Sequence, residues 1–141
     1  MDEAEARRRV VEARVARLGT LTPAGRLHLV PICFAMDGEM LYTAVDAKPK
    51  RSRALQRLAN LRANPEVCVL VDEWHEDWSL LWWVRLRGRA RVLEDGDELA
   101  RARELLRAKY EQYAAGPLGP AIAVDIAEWL GWSASDTLAS S

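Results

Sequence analysis

Apolar and polar positions recur along this chain with two periods, and each change of period marks an element boundary. From Glu3 to about Leu18 the spacing is helical: Val11, Val15 and Leu18 fall at i, i+4 and i+7, with Glu and Arg on the other face. Gly19-Thr20-Leu21-Thr22 then leads into Pro23-Ala24-Gly25-Arg26, where Pro and Gly stand as a type I or II turn uses them. Leu27 to Met36 reads as a strand, Asp37-Gly38 as a hairpin turn and Glu39 to Ala44 as the return strand. Three strands joined by tight turns predict an antiparallel start to the sheet.

A second helix is predicted from Ser52, a suitable N-cap, to Asn64, with Leu55, Leu58 and Ala59 as its apolar stripe and Pro65 as its stop. Val67 to Val71 is a buried strand, Asp72 to Leu80 an acidic connector bearing tryptophan, and Leu81 to Leu93 a long strand with a bend at Gly88. A third helix starts at Asp95-Gly96-Asp97 and places Leu99, Ala102, Leu106, Tyr110 and Tyr113 on one face. After a break from Gly116 to Pro120, Ala121 to Ile126 is the last strand, and the small polar residues from Ser133 onward leave 135–141 as a flexible C-terminal tail. The order predicts a mainly β fold with flanking helices (α+β), an antiparallel barrel, closed or nearly so, in one domain over residues 1–134. Strands and helices do not alternate regularly, and no G-x-G-x-x-G or P-loop sequence occurs, so a doubly wound sheet is not expected.

Composition narrows the function classes. The 141 residues suit one domain, and with half of them hydrophobic a true core is affordable. Twenty basic residues against 21 acidic remove the charge argument for a nucleic-acid binder. Cys33 and Cys68 sit in apolar stretches and read as buried thiols, and His28 and His75 have no ligand spacing, so no metal site is expected. The N-terminus is charged with no apolar run behind it, and Leu29–Met36, the longest uncharged apolar run, is less than half the roughly 20 residues of a membrane helix. The expectation is a cytoplasmic protein with no membrane or nucleic-acid partner.

Charge is distributed unevenly. No acidic residue occurs between Asp46 and Glu66, yet six basic ones do: Lys48, Lys50, Arg51, Arg53, Arg57 and Arg62. Arg57 and Arg62 fit a solvated helix face. The other four cluster at the predicted helix start, where free N–H groups and the macrodipole favour anions and disfavour cations. A bound phosphate or carboxylate would turn that repulsion into attraction. Two of the chain's three lysines lie here although 17 of its 20 basic residues are Arg, so an anion site competes evenly with a solvated face. Arg85, Arg87, Arg89 and Arg91 alternate with smaller or apolar residues and share one face of a strand; Arg89 and Arg91 suit a wet face, whereas Arg85, next to Trp82-Trp83, suits a ligand groove. Trp74, Trp78, Trp82 and Trp83 stack a flat heterocycle or bury a dimer contact, and the acidic residues among them disfavour a nucleic-acid backbone. No nucleophile motif is present, so an enzyme here would draw its chemistry from a cofactor.

Leu27-His28-Leu29-Val30-Pro31, Leu41-Tyr42-Thr43, Lys48-Pro49-Lys50-Arg51 and Asn64-Pro65-Glu66-Val67 together resemble the pyridoxamine 5′-phosphate oxidase-like split β-barrel superfamily. Leu41 through Arg51, Asp77-Trp78-Ser79, Leu81-Trp82-Trp83-Val84-Arg85 and Gly131-Trp132 are similar to its branch of F420-dependent enzymes. The resemblance covers about residues 5 to 134. It implies a homodimer with cofactor sites at the subunit interface, a cofactor ring along Val30, Pro31 and Ile32, and a phosphate held by Thr43, Lys48, Lys50, Arg51 and Ser52. It further implies an oxidoreductase that passes hydride between the deazaflavin coenzyme F420 and an unsaturated C=C or C=N substrate, with Trp78, Trp82 and Arg85 toward the substrate. The alternatives are an FMN-binding oxidase or reductase of the same fold and a non-catalytic cofactor- or haem-binding split barrel. Oxidation of pyridoxamine phosphate itself is not expected, because the second strand offers only His28 where true oxidases place basic residues. The surplus of cations over what one FMN phosphate needs favours the polyanionic tail of coenzyme F420. Tyr42 and His28 are the candidate proton donors, with solvent as the alternative, and no residue is assigned as catalytic.

Overall fold

The computed structural model describes residues 1–46, 52–114 and 116–139, with the side chains at 46, 52–55 and 137–139 excepted. Helix α1 (Glu3–Glu12) precedes strands β1 (Ala16–Leu21), β2 (Leu27–Ile32), β3 (Ala35–Asp37) and β4 (Met40–Asp46). Helix α2 (Ser52–Ala63), strand β5 (Glu66–Glu73), a 3-10 turn (Trp78–Leu80) and strand β6 (Trp82–Leu93) follow. The chain continues through α3 (Gly96–Lys109), α4 (Glu111–Ala114), β7 (Leu118–Ser133) and α5 (Ala134–Ala139).

All seven strands form one antiparallel sheet in the order β2-β1-β5-β6-β7-β4-β3. β2 and β3 are its two edges, yet only Cys33 and Phe34 separate them in the chain. Three Cα steps reach at most roughly 11 Å, so the sheet must curl until its edges meet. The barrel predicted from the sequence is therefore a topological necessity.

The crossing is held from both sides. Tyr110, at the end of α3, accepts the Phe34 N–H at 3.1 Å, and its hydroxyl proton is shared between the carbonyls of Arg14 (2.9 Å) and Phe34 (3.1 Å). The Thr43 hydroxyl on β4 donates to the Cys33 carbonyl at 2.7 Å. Phe34 is fully buried and joins Leu18, Leu41, Val69, Val84, Leu86 and Val124 in the main core, which fills the barrel. Tyr42, Leu99, Ala102, Ala121 and Ala123 form a second cluster where α3 packs on the outside of β4 and β7.

Several elements depart from the sequence reading. The single strand expected over Leu27–Met36 is broken at Cys33 and Phe34 into β2 and β3, because the chain leaves one sheet edge there and joins the other, and the third helix stops at Lys109, before Tyr110 and Tyr113. α1 ends at Glu12 and buries Ala6 and Val10, leaving Val11 and Val15 exposed, because the stripe from Val11 to Leu18 mixes a helix with the alternating pattern of β1, where Ala16, Leu18 and Thr20 point inward. β7 is 16 residues long rather than six, because it pairs along β6 from Ala121↔Leu93 to Ser133↔Trp82. The segment expected as a tail begins as α5, with the Ala134 N–H bonded to the Leu81 carbonyl at 3.0 Å. The bend at Gly88 takes the form of a register shift between β6 and β7; a Cβ there would lie 2.2 Å from the Asp125 carbonyl oxygen, which requires glycine.

Replacing Tyr110 with Phe keeps the ring and removes the hydroxyl, stranding the buried Phe34 N–H. The expected loss is about 1–3 kcal/mol, read as a lower urea midpoint with an unchanged m-value.

Candidate functional site

The closing turn, β4 and the helices next to it enclose a pocket of about 240 Å³ lined by Pro31, Ile32, Cys33, Thr43, Ala44, Val45, Arg57 and Tyr113. Proline is tolerated at position 31 because β2 is an edge strand and needs no second ladder bond there. Thr43 is fixed by its bond to the Cys33 carbonyl. α2 supplies Arg57, and α4 supplies Tyr113, whose ring stands edge-on to Tyr110 with centroids 5.7 Å apart. The result is a slot in which the apolar Pro31, Ile32, Ala44 and Val45 meet the polar groups of Thr43, Arg57 and Tyr113.

Of the residues expected to hold a cofactor, the pocket gathers Pro31, Ile32 and Thr43. Val30 packs against the main core and does not line the pocket. Lys48, Lys50 and Arg51 lie outside the described residues, and Ser52 opens α2 with its side chain likewise outside. Arg57 and Tyr113 were not expected in the site. Arg57 was placed on a solvated helix face with Arg62; only Arg62 behaves so, pairing with Glu94 on the surface. Membership of the acid-free basic stretch was the signal for Arg57.

The two candidate proton donors point elsewhere. Tyr42 is buried against α3 and donates to Glu98 at 3.0 Å; burial, then the Glu98 bond, push its hydroxyl up to about 12. Glu98 also receives Arg91 at 2.7 Å, and Arg91 reaches Asp125 at 2.8 Å, so Tyr42 belongs to a structural network. His28 lies on the inward face of β2 opposite Thr20 and does not line the pocket. Behind Cys33, the Lys109 ammonium sits 3.9 Å from the centre of the Phe34 ring, with no hydrogen-bond partner among the described residues. Burial and then the nearby Arg14 charge push its amine down to about 8.

The outer face of the sheet carries a larger cavity of about 530 Å³, lined by Cys68, Leu70, Asp72, Glu73, Trp74, Leu81, Trp82, Trp83, Arg85 and Trp132. It brings together Trp82 and Arg85 from the sequence reading. Trp78 does not line it; it is 67% exposed and meets Trp74 edge-on, centroids 6.2 Å apart. Pro31, Arg17 and Leu70 are successive register partners, so Pro31 of the first cavity and Leu70 of the second stand two strand spacings apart, about 10 Å.

The family model for pyridoxamine 5′-phosphate oxidase matches residues 2–133. The chain belongs to the pyridoxamine 5′-phosphate oxidase family. No curated protein matches it. Among solved structures, a conserved hypothetical protein from Mycobacterium tuberculosis is 21% identical with a TM-score of 0.80, covering 97% of this chain and 88% of that one. A putative 5-nitroimidazole antibiotic resistance protein from Bacteroides thetaiotaomicron is 18% identical with a TM-score of 0.74, covering 92% and 82%. An FAD-binding protein from Mesorhizobium loti is 24% identical with a TM-score of 0.69, covering 93% and 94%. These likenesses establish a shared fold. No helix among the described residues of this pyridoxamine 5′-phosphate oxidase family member is long and apolar enough to cross a membrane, and those residues hold no cluster of metal-ligating side chains.

The Lys109 amine gives a pH-dependent expectation. Its folded value near 8 lies below the ordinary 10.5, so the unfolded chain binds that proton more tightly and stability rises with pH between those values. Lys109→Met is expected to raise the thermal midpoint at pH 7, with the gain shrinking as pH approaches 10.

Proposed function

We propose that this chain is an oxidoreductase that binds coenzyme F420 in the pocket at the closing turn and works as a homodimer. The observation that carries the reading is the composition of that pocket: Pro31, Ile32 and Val45 offer apolar contact to a flat ring, and Arg57 offers a charge to an anionic group. β4 and α2 flank the segment that holds Lys48, Lys50 and Arg51, which puts three further cations in sequence between two elements of the pocket wall. That surplus fits the phosphodiester and carboxylate tail of a deazaflavin better than one FMN phosphate. FMN is the second reading, supported by the FAD-binding neighbour.

The pocket's 240 Å³ falls below the roughly 300–1,000 Å³ of ligand sites, which supports a site completed by a second copy. The outer sheet face supplies a surface for that copy: Leu27 and Leu29 of β2 are 88% and 70% exposed, and Leu70, Leu130 and Trp132 continue the apolar patch across β5 and β7.

When bound, the reduced cofactor supplies a hydride to an electron-poor C=C or C=N bond. The chain's own part is to hold the ring against Pro31 and Ile32, neutralise the anionic tail and keep water from the reacting face. With Tyr42 tied to Glu98 and His28 turned inward, solvent is the source of the proton.

Titration with oxidised coenzyme F420, followed by tryptophan quenching with FMN in parallel, tests the cofactor. Micromolar affinity for the deazaflavin is expected, with loss of about tenfold or more in Lys50→Ala/Arg51→Ala and in Arg57→Ala; tight FMN binding with none for the deazaflavin selects the flavin reading. Leu29→Arg places a charge on the exposed patch and is expected to convert a dimer to a monomer by light scattering, with unchanged circular dichroism and weakened cofactor binding.

A further inference from the structure

The wall of the pocket at the closing turn holds the Cys33 thiol and the Arg57 guanidinium, and no carboxylate among the described residues. Behind Cys33, Lys109 sets its amine against two rings, with Nζ 3.9 Å from the centre of Phe34 and 5.4 Å from that of Tyr110. That nitrogen is buried and has no hydrogen-bond partner among the described residues. Its charged neighbours are Arg14, which repels it, and Cys33, which attracts it once ionised. Arg14 itself lies over the Tyr110 ring at 4.7 Å. Thiol and cations thus gather at one crossing of the chain.

An ammonium withdrawn from water costs free energy unless an anion or acceptor meets it. The faces of Phe34 and Tyr110 offset part of that cost by cation–π attraction but accept no conventional hydrogen bond. Tyr110 keeps its proton, because burial pushes its hydroxyl up. Cys33 is the remaining neighbour that can become an anion, by ionising or by being oxidised. Its backbone is pinned by the Thr43 hydroxyl at 2.7 Å, which fixes the thiol between the pocket and Lys109. Cys68 provides the contrast. It lines two outer-face cavities in which arginines stand beside the carboxylates of Glu66, Asp72 and Glu73, so opposite charges offset each other there.

We infer that Cys33 is a redox-modification site, at which hydrogen peroxide oxidises the thiol and the Lys109 ammonium holds the sulfur's negative charge. The thiol proton leaves to solvent, and a sulfur electron pair forms the S–O bond as the O–O bond breaks. The displaced hydroxide takes up a proton, so thiol and peroxide give sulfenic acid and water. Sulfur loses two electrons and the peroxide gains them. Partly exposed cysteines in electropositive surroundings are the ones that react in this way, and Cys33 is partly exposed. Peroxide is little larger than water and enters the slot with a second copy in place. The added oxygen takes up room in a pocket of about 240 Å³, so oxidation also gates the entry of a ligand. That gate rests on the cofactor reading, whereas the oxidation does not.

The test treats the full-length protein with hydrogen peroxide at pH 7, below the value of about 8 at which Lys109 loses its proton. Dimedone traps the sulfenic acid, and peptide mass spectrometry follows the adduct at each cysteine. Cys33 is expected to be labelled about tenfold faster than Cys68. Lys109→Met is expected to slow Cys33 about tenfold, while Lys109→Arg keeps the wild-type rate. An unchanged rate at Cys68 shows that each variant has folded. Equal rates at the two cysteines of wild type overturn the proposal, and so does a Cys33 rate untouched by Lys109→Met. Should a variant not fold, the wild-type ratio decides. Coenzyme F420 titrated onto the oxidised protein, before and after dithiothreitol, reads the gate: affinity is expected to fall and to return with the reductant. Unchanged affinity with Cys33 oxidised overturns the gate. Untreated protein that binds no coenzyme F420 overturns the cofactor reading and the gate with it, while the labelling still decides the redox site.

Discussion

Cys33 and Phe34 carry the chain from one edge of the sheet to the other, and the Tyr110 hydroxyl holds that crossing by bonding the backbone of Phe34 and the carbonyl of Arg14. Three separate parts of the chain meet at this oxygen: the approach to β1, the crossing itself and the end of α3. Because Phe34 is also a centre of the barrel core, the polar staple and the apolar packing reinforce each other at one residue. The pocket proposed for the cofactor is a by-product of the same closure. Pro31, Ile32 and Cys33 reach it from the β2 side, Thr43 ties β4 to it, and Tyr113 extends from the helix turn just after Tyr110.

Charge pairing separates two kinds of arginine on β6. Arg89 lies opposite Glu66 and pairs with it, and Arg91 reaches diagonally to Asp125, so both are satisfied within the protomer. Arg85 lies between two leucines. Identical residues at identical spacing therefore do different things, and the difference comes from what the neighbouring strands place beside them. The same logic divides α2, where Arg62 reaches Glu94 on the surface while Arg57 turns to the pocket.

Much of the fold could be read from the chain alone. The turns at Pro23–Arg26 and Asp37-Gly38, the helix after Ser52 and the long β6 are all governed by local chemistry, and each lies where that chemistry puts it. The structure departs from local pattern where tertiary pairing overrides it. β7 runs on past Ile126 because β6 is there to pair with it, and α1 stops at Glu12 because Ala16–Leu21 is claimed by β1's neighbours. The candidate site was partly legible: Pro31, Ile32 and Thr43 came from the resemblance, whereas Arg57 and Tyr113 depend on how α2 and α4 sit against the closing turn, which no spacing along the chain records.

β7 is the sixteen-residue strand that pairs with both β6 and β4, so it joins the two halves of the sheet. During synthesis from the N-terminus, β1 through β6 emerge before their keystone exists, with β4 and β6 each lacking a strand on the side that β7 will occupy. Such unpaired edges invite association with other chains. The barrel cannot close until residues 118–133 have left the ribosome, which makes β7 the segment that ends its exposure to misassembly.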